Sequence, residues 1–315
     1  MIFSNESDSL SIVKKHLAMS FDVDEKNLSQ WLNWHGRSEG KLIRSHLALS
    51  TGEALGVSKH TAIIWAVVCE LIHSASLLHD DICDSDEIRR GKVSVWKNFG
   101  IPAAICTGDY LIAESFRKIT EIEQGWHQNI LLNLLSGTVK EIVFGQSGDV
   151  NSNFLSLGWE EYIKLATAKT SPLICLPIMG MFKCAELEEP YYMNLRKLTD
   201  EIGLAYQIVN DLENILVNQS NEIPTDIKFE RVNALIVLLK EMSSEKEINF
   251  LKKNKGDLKQ YLLSSSIADD LIIKIENILQ GIKNSLHLMP VSIRPIISSL
   301  SEEIEKRSHQ FAHAN

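Results

Sequence analysis

Breaks are scarce in this sequence. Its seven prolines and sixteen glycines are spread thinly over 315 residues, and no Ser/Gly/Pro-rich stretch, internal repeat or low-complexity segment interrupts the apolar pattern. Without a linker to divide it, the length reads as one large domain spanning residues 1–315. The five cysteines, at 69, 83, 106, 175 and 184, include no CxxC pair and lie mostly within apolar helical patterns. That suits buried, reduced thiols and a cytoplasmic location. Met1 to Ser9 lacks the basic start and apolar run of a signal peptide, and the most apolar stretch, Thr61 to Leu78, carries Glu70 and His73; no membrane span is expected. Positive charge is short as well. The net charge of -9 argues against non-specific nucleic-acid binding, which requires a cationic surface, so an anionic substrate would need cations gathered locally.

Strand-like alternation is equally scarce, Val93 to Val95 being the best instance, whereas apolar residues recur three and four apart along most of the chain. The pattern predicts helices near 8–18, 40–55, 58–86, 102–118, 125–147, 159–168, 171–184, 188–217, 229–241, 245–263, 266–285 and 290–310. The segments 58–86 and 188–217 are apolar on all sides and belong at the centre of an all-α bundle. In such bundles, metal and cofactor sites arise where inward-facing side chains turn polar.

One central helix does turn polar. In His73-Ser-Ala-Ser-Leu-Leu-His79-Asp80-Asp81-Ile-Cys-Asp84, positions 73, 76, 77, 80 and 84 fall three or four apart on one face. Asp80 and Asp84 stack there, and two carboxylates one turn apart repel unless a hard divalent cation, naturally magnesium, reverses the sign. A bare DDxxD string is more often a solvated helix end. Here Arg89-Arg90-Gly91 follows closely, and carboxylates beside guanidiniums are what a magnesium-diphosphate complex needs. Upstream, Gly40-Lys41-Leu-Ile-Arg44 puts two cations at a helix start, where backbone N–H groups also favour anions. Gly145-Gln146-Ser-Gly-Asp149 and Lys169-Thr170 add polar groups beside apolar helices, each by itself more often a helix end or cap.

Taken in order, GKxxR, ExxHxxxLLHDDxxDxxxxRRG, GQxxD, KT and YQxxND resemble the trans-isoprenyl diphosphate synthase family, from about Gly40 to Leu235 and loosely on through Leu288 to Arg307. The resemblance implies an isoprenoid synthase helical bundle around a central active-site cavity, assembled as a homodimer. It implies that Asp80 and Asp84 hold magnesium carried by an allylic prenyl diphosphate, with Asp81 supporting them. Arg89, Lys169, Thr170 and Gln207 would hold the same diphosphate, Lys169 ranking with the aspartates as catalytic. Lys41, Arg44, His73 and Arg90 match the positions that bind isopentenyl diphosphate. The implied reaction is ionisation of the allylic C–O bond while metals and cations stabilise the departing pyrophosphate. The alkene of the second substrate then attacks in an apolar, water-free cavity, giving a longer trans-prenyl diphosphate.

The chain departs from the family's pattern at the second aspartate-rich motif, which reads Asn210-Asp211-Leu-Glu-Asn214 where three carboxylates are usual. As the implied ligands, Asn210, Asp211 and Asn214 would hold metal less tightly, because an amide oxygen brings no charge. The segment Val217 to Asp226 lacks the family's Gly-Lys pair, and Arg231 stands where lysine is usual. Asn210, Asn214 and Asn218, spaced by four, partly resemble the second metal motif of terpene cyclases. Three readings follow: chain elongation with a weakened metal site; a diverged enzyme that cyclises a terpene or prenylates another acceptor such as a peptide tryptophan; and a non-catalytic subunit that modulates a heteromeric synthase. The retained isopentenyl-site residues favour elongation, and the intact DDxxD opposes a silent subunit. The small Ala75 and Ser76, fifth and fourth before Asp80, are expected to leave the cavity floor open for a product longer than a farnesyl chain.

Overall fold

The computed structural model describes residues 8–36, 40–150, 157–216, 223–243 and 254–311. They cluster into two compact units, one of residues 1–139 with 173–192 and the other of residues 140–172 with 193–315.

The first unit is built on α4 (Lys59–Cys83), alongside α1 (Asp8–Phe21), α2 (Lys26–Gly36), α3 (Ile43–Ala54), the two-residue strands β1 (Ile88–Arg89) and β2 (Lys92–Val93), α5 (Val95–Phe99) and α6 (Ile101–Ile119). Ser58 caps α4, its Oγ accepting the Thr61 N–H at 3.2 Å. Every residue from Thr61 to Ile72 is buried, as a helix apolar on all sides must be. α1, α3 and α6 pack against it. Trp65 is fully buried, and its Nε1 donates to the Leu176 carbonyl at 3.3 Å; burying such a side chain is worth roughly 2–3 kcal/mol. Gly180 makes the room, since a Cβ there would stand 2.1 Å from the indole nitrogen.

Three long helices, α7 (Gly125–Val150), α8 (Trp159–Cys184) and α9 (Glu189–Leu216), contribute residues to both units. In the second unit the buried positions of α9, among them Leu195, Leu198, Ile202, Ala205, Val209, Leu212 and Ile215, recur three and four apart and make one apolar stripe. There follow α10 (Thr225–Lys228), α11 (Ala234–Met242), α12 (Lys255–Ser264), α13 (Ile267–Ser285), a 3-10 turn and α14 (Arg294–Ser308), with α13 packed on both α11 and α14.

The helical expectation holds, with corrections at particular places. α8 runs unbroken through 169–171, where a break was expected, although Pro172 has no N–H to give the Ala168 carbonyl. Two glycines account for the tight packing here. A Cβ at Gly145 would stand 2.7 Å from the Ala168 oxygen, and one at Gly203 would stand 3.0 Å from the Ser171 nitrogen, so the backbones of α7 and α9 close directly on this stretch. α2, α5 and the β1/β2 hairpin were not foreseen; α2 buries only Leu32 and His35, too few apolar positions to set a period. Residues 245–253 of the helix expected at 245–263 lie outside the described residues. Cys69, Cys175 and Cys184 are buried as expected, but Cys83 and Cys106 are exposed. α4 and α8 are long and apolar enough to cross a membrane, yet 78% and 72% of their most apolar windows are buried inside the protein, which is where a core helix spends its apolar surface.

Candidate active site

α4 ends where its polar face turns acidic. The Asp84 N–H donates to the Asp80 carbonyl at 2.7 Å, which closes the last turn and fixes the two half-buried side chains one turn apart. Asp81, by contrast, is buried. Its Oδ1 accepts from Arg89 Nε at 2.7 Å, and Arg89 Nη2 also donates to Asp86 Oδ2 at 3.0 Å. Burial pushes the Asp81 carboxyl up to about 6 against the pull of Arg89. Asp81 thus positions Arg89. Arg89 itself is carried on the antiparallel pair of β1 and β2, whose two linking residues, Arg90 and Gly91, have φ of 50° and 75°. Two successive left-handed residues make a type I′ hairpin turn, which explains the glycine of RRG. Trp96 Nε1 donates to the Asp86 carbonyl at 2.8 Å and Trp34 Nε1 to the Val93 carbonyl at 2.9 Å, pinning the hairpin from both sides.

The hairpin tip meets GKxxR. A Cβ at Gly40 would stand 2.7 Å from Arg90 Nη1, so the guanidinium rests on bare glycine backbone and two motifs distant in sequence come together. Glu70, buried within α4, accepts the Ser45 N–H at 2.9 Å and anchors the start of α3 next to Arg44. Burial raises its carboxyl while Arg44 opposes the rise. His73 Nδ1 is buried and has no hydrogen-bond partner among the described residues. Burial, then Arg44 and Arg90, hold its imidazole well below the usual range, so the ring is neutral. His35, also buried, is pushed down to about 4 by burial and then by Arg90 and Arg89. The neighbouring guanidiniums suit this site to an anion, to which the open ring nitrogen donates in the tautomer that protonates it. Lys41 is exposed and Arg44 half-buried beside it. The anchoring by Glu70 and the place of His35 were not foreseen. Glu70 left a signal, as the lone acid in a buried helical run three residues before His73.

Among the described residues no group of three or more His, Cys, Asp or Glu forms a metal cage. Asp80 and Asp84 still fit magnesium as it is held with phosphate substrates, by one or two carboxylates with phosphate oxygens and water completing the shell.

In the second unit Lys169 and Thr170 are half-buried on α8. Thr170 Oγ1 donates to Gln207 Oε1 at 3.0 Å, and Gln207 Nε2 donates to Asp211 Oδ1 at 2.8 Å. Asp211 Oδ2 accepts from Tyr162 Oη and from the Ala234 N–H, both at 2.8 Å. Burial, then the neighbouring Asp226, pushes the Asp211 carboxyl up to about 7. Asn233 Nδ2 donates to the Asp211 carbonyl and to Asp226 Oδ2 at 3.2 and 2.8 Å, and Arg231 pairs with Asp226 at 3.6 Å. Asn214 Oδ1 accepts the Asp226 N–H at 3.4 Å, and Asn210 Oδ1 accepts from Arg307 Nη2 at 2.9 Å. The oxygens of all three residues expected to ligate metal here, Asn210, Asp211 and Asn214, are therefore engaged by protein donors, and this geometry does not fit that expectation. Gln146 Nε2 is buried without a partner among the described residues. The side chain of Asp149 and residues 217–222, with Asn218, lie outside them.

The family model described as polyprenyl synthetase matches residues 25–263. A short chain isoprenyl diphosphate synthase of Methanothermobacter thermautotrophicus is 31% identical over 237 residues, covering 72% of this chain and 71% of that protein. One from Methanocaldococcus jannaschii is 28% identical, covering 77% and 75%. Among solved structures, geranylgeranyl pyrophosphate synthetase from Pyrococcus horikoshii superposes with a TM-score of 0.83 at 23% identity, covering 97% of this chain and 98% of that one. At that identity the likeness shows the fold, which is the all-α isoprenoid synthase fold.

Proposed function

Because the chain belongs to the polyprenyl synthetase family and is a prenyltransferase of the prenyl diphosphate synthase kind, we propose that it joins an allylic prenyl diphosphate to isopentenyl diphosphate with magnesium, giving a longer trans-prenyl diphosphate. The observation that carries this reading is the juxtaposition of Arg90 with Gly40 beside the open nitrogen of His73, because a cyclase has no use for a second diphosphate site.

Asp80 and Asp84 would hold the magnesium, which when bound supplies charge that stabilises the departing pyrophosphate. Arg89, held by Asp81 and Asp86, is already oriented and loses little entropy on meeting a phosphate. Lys169, Thr170 and Gln207 are proposed as further contacts of the allylic diphosphate. Lys41, Arg44 and Arg90 take the second diphosphate, and its charge gives the His73 ring nitrogen the partner it lacks.

The test is incubation of the purified chain with allylic diphosphates and magnesium, with and without isopentenyl diphosphate, and product identification by mass spectrometry. Elongated diphosphates formed only with isopentenyl diphosphate are expected. A hydrocarbon formed without it, or a prenylated peptide formed when a tryptophan-containing peptide replaces it, would overturn the assignment of the acceptor.

A further inference from the structure

We infer that the second aspartate-rich motif of this chain holds no magnesium, and that Arg307 of α14 supplies the positive charge there instead. The inference deepens the proposed function and rests on it. Its basis is the way every candidate ligand oxygen is spent. Asp211 lies at the bottom of the network, 3% exposed, with Oδ1 taken by Gln207 and Oδ2 by Tyr162 and Ala234. Asn214 Oδ1 is turned to the Asp226 backbone. Asn210 Oδ1 accepts from Arg307, whose guanidinium also donates to Glu213 through Nε at 3.0 Å and Nη2 at 2.7 Å and lies 4.7 Å over the Tyr206 ring.

Arg307 is a permanent cation, clamped by a forked carboxylate, an amide oxygen and an aromatic face, with its side chain 16% exposed. At a magnesium-to-oxygen distance of about 2.1 Å, an ion ligated by Asn210 would stand within about 5 Å of that guanidinium and be repelled by it. The same contact explains why an amide serves at 210. A carboxylate would pair with Arg307 as a second acid beside Glu213, whereas asparagine accepts its hydrogen bond without adding charge. The two asparagines are then fitted to a guanidinium and to a backbone N–H, and are no remnant of a metal site.

The test counts metal without turnover. Mn2+ is titrated into the full-length chain with inorganic pyrophosphate and followed by electron paramagnetic resonance. Asp84→Ala is expected to weaken Mn2+ binding about tenfold or more, whereas Asn210→Ala and Asn214→Ala stay within about twofold of native. Arg307 keeps Glu213 as partner in Asn210→Ala, and a thermal melt confirms each fold. Asn210→Asp alone adds no Mn2+, because Arg307 captures the new carboxylate, while Asn210→Asp with Arg307→Gln gains Mn2+ per chain. A loss of about fivefold or more in either alanine variant, or a gain of Mn2+ by Asn210→Asp alone, overturns the inference while leaving prenyl transfer standing. Absence of Mn2+ from the native chain in saturating pyrophosphate overturns the metal-dependent reading beneath it, and the inference with it.

Discussion

The two aspartate-rich segments sit at comparable places, each on a long helix with a buried apolar stripe, and they spend their carboxylates in opposite ways. On α4, Asp81 alone is drawn inward, to Arg89, while Asp80 and Asp84 stay half-buried one turn apart. On α9 the one remaining aspartate is the one drawn inward, and the flanking positions are amides satisfied by Arg307 and by the Asp226 N–H. The middle residue of each motif is thus the buried, structural one, and the outer pairs are where the two motifs differ in charge. Losing two charges from the outer pair of the second motif leaves its scaffold intact, because that scaffold hangs on Asp211.

The largest expected effect tests the outer pair of the first motif. If Asp84 is the metal ligand proposed above, Asp84→Ala is expected to lower kcat on the order of 10^4-fold with little change in melting temperature, since a half-buried side chain used in the transition state is lost. A comparable fall in stability would instead place Asp84 with the structural residues.

The middle residue of the second motif comes next. The Asp211 carboxyl is raised from its unfolded value to about 7 in the folded chain, so the protonated form is favoured by folding. Its contribution is fully present below the unfolded value near 4 and is lost as pH rises to about 7. Relative to Asp211→Asn, the native chain is expected to lose up to about 4 kcal/mol across that window, read by urea unfolding at several pH values. Equal pH slopes in the two proteins would contradict the assignment. For the middle residue of the first motif, Arg89→Lys cannot reproduce the forked contact to Asp81 and Asp86 and is expected to cost about 3 kcal/mol, measured by thermal unfolding, besides lowering activity.

Ser76 lies one turn before Asp80, half-buried, with Oγ donating to the His73 carbonyl at 2.8 Å, and Ala75 beside it is 1% exposed. Ser76→Phe is expected to shorten the product with kcat held within about threefold, because bulk at that turn limits the chain rather than the chemistry. An unchanged product distribution by mass spectrometry counts against the position. The smallest effect lies at Glu230, held at φ 58° before Arg231. Glu230→Gly relieves a left-handed residue and is expected to stabilise the chain by about 1 kcal/mol in urea unfolding, less what its pairing with Lys255 at 3.2 Å contributes.

The sequence by itself determined the helices, the one-turn spacing of Asp80 and Asp84 and the chain order of the cations, since these follow from three- and four-residue periodicities that any local window contains. It misplaced a break at Lys169-Thr170, because a polar pair beside apolar helical runs reads as a helix end until Gly145 and Gly203 are seen to pack their helices directly on that stretch. Only the tertiary structure decided which aspartate of each motif is structural, that RRG is a hairpin turn resting on Gly40, and that Arg307 stands ninety-seven residues from Asn210 in sequence yet donates to it at 2.9 Å. The physical reason is that a carboxylate or amide is spent on whichever donor packing brings within hydrogen-bond reach, and for residues that far apart no spacing rule names the donor.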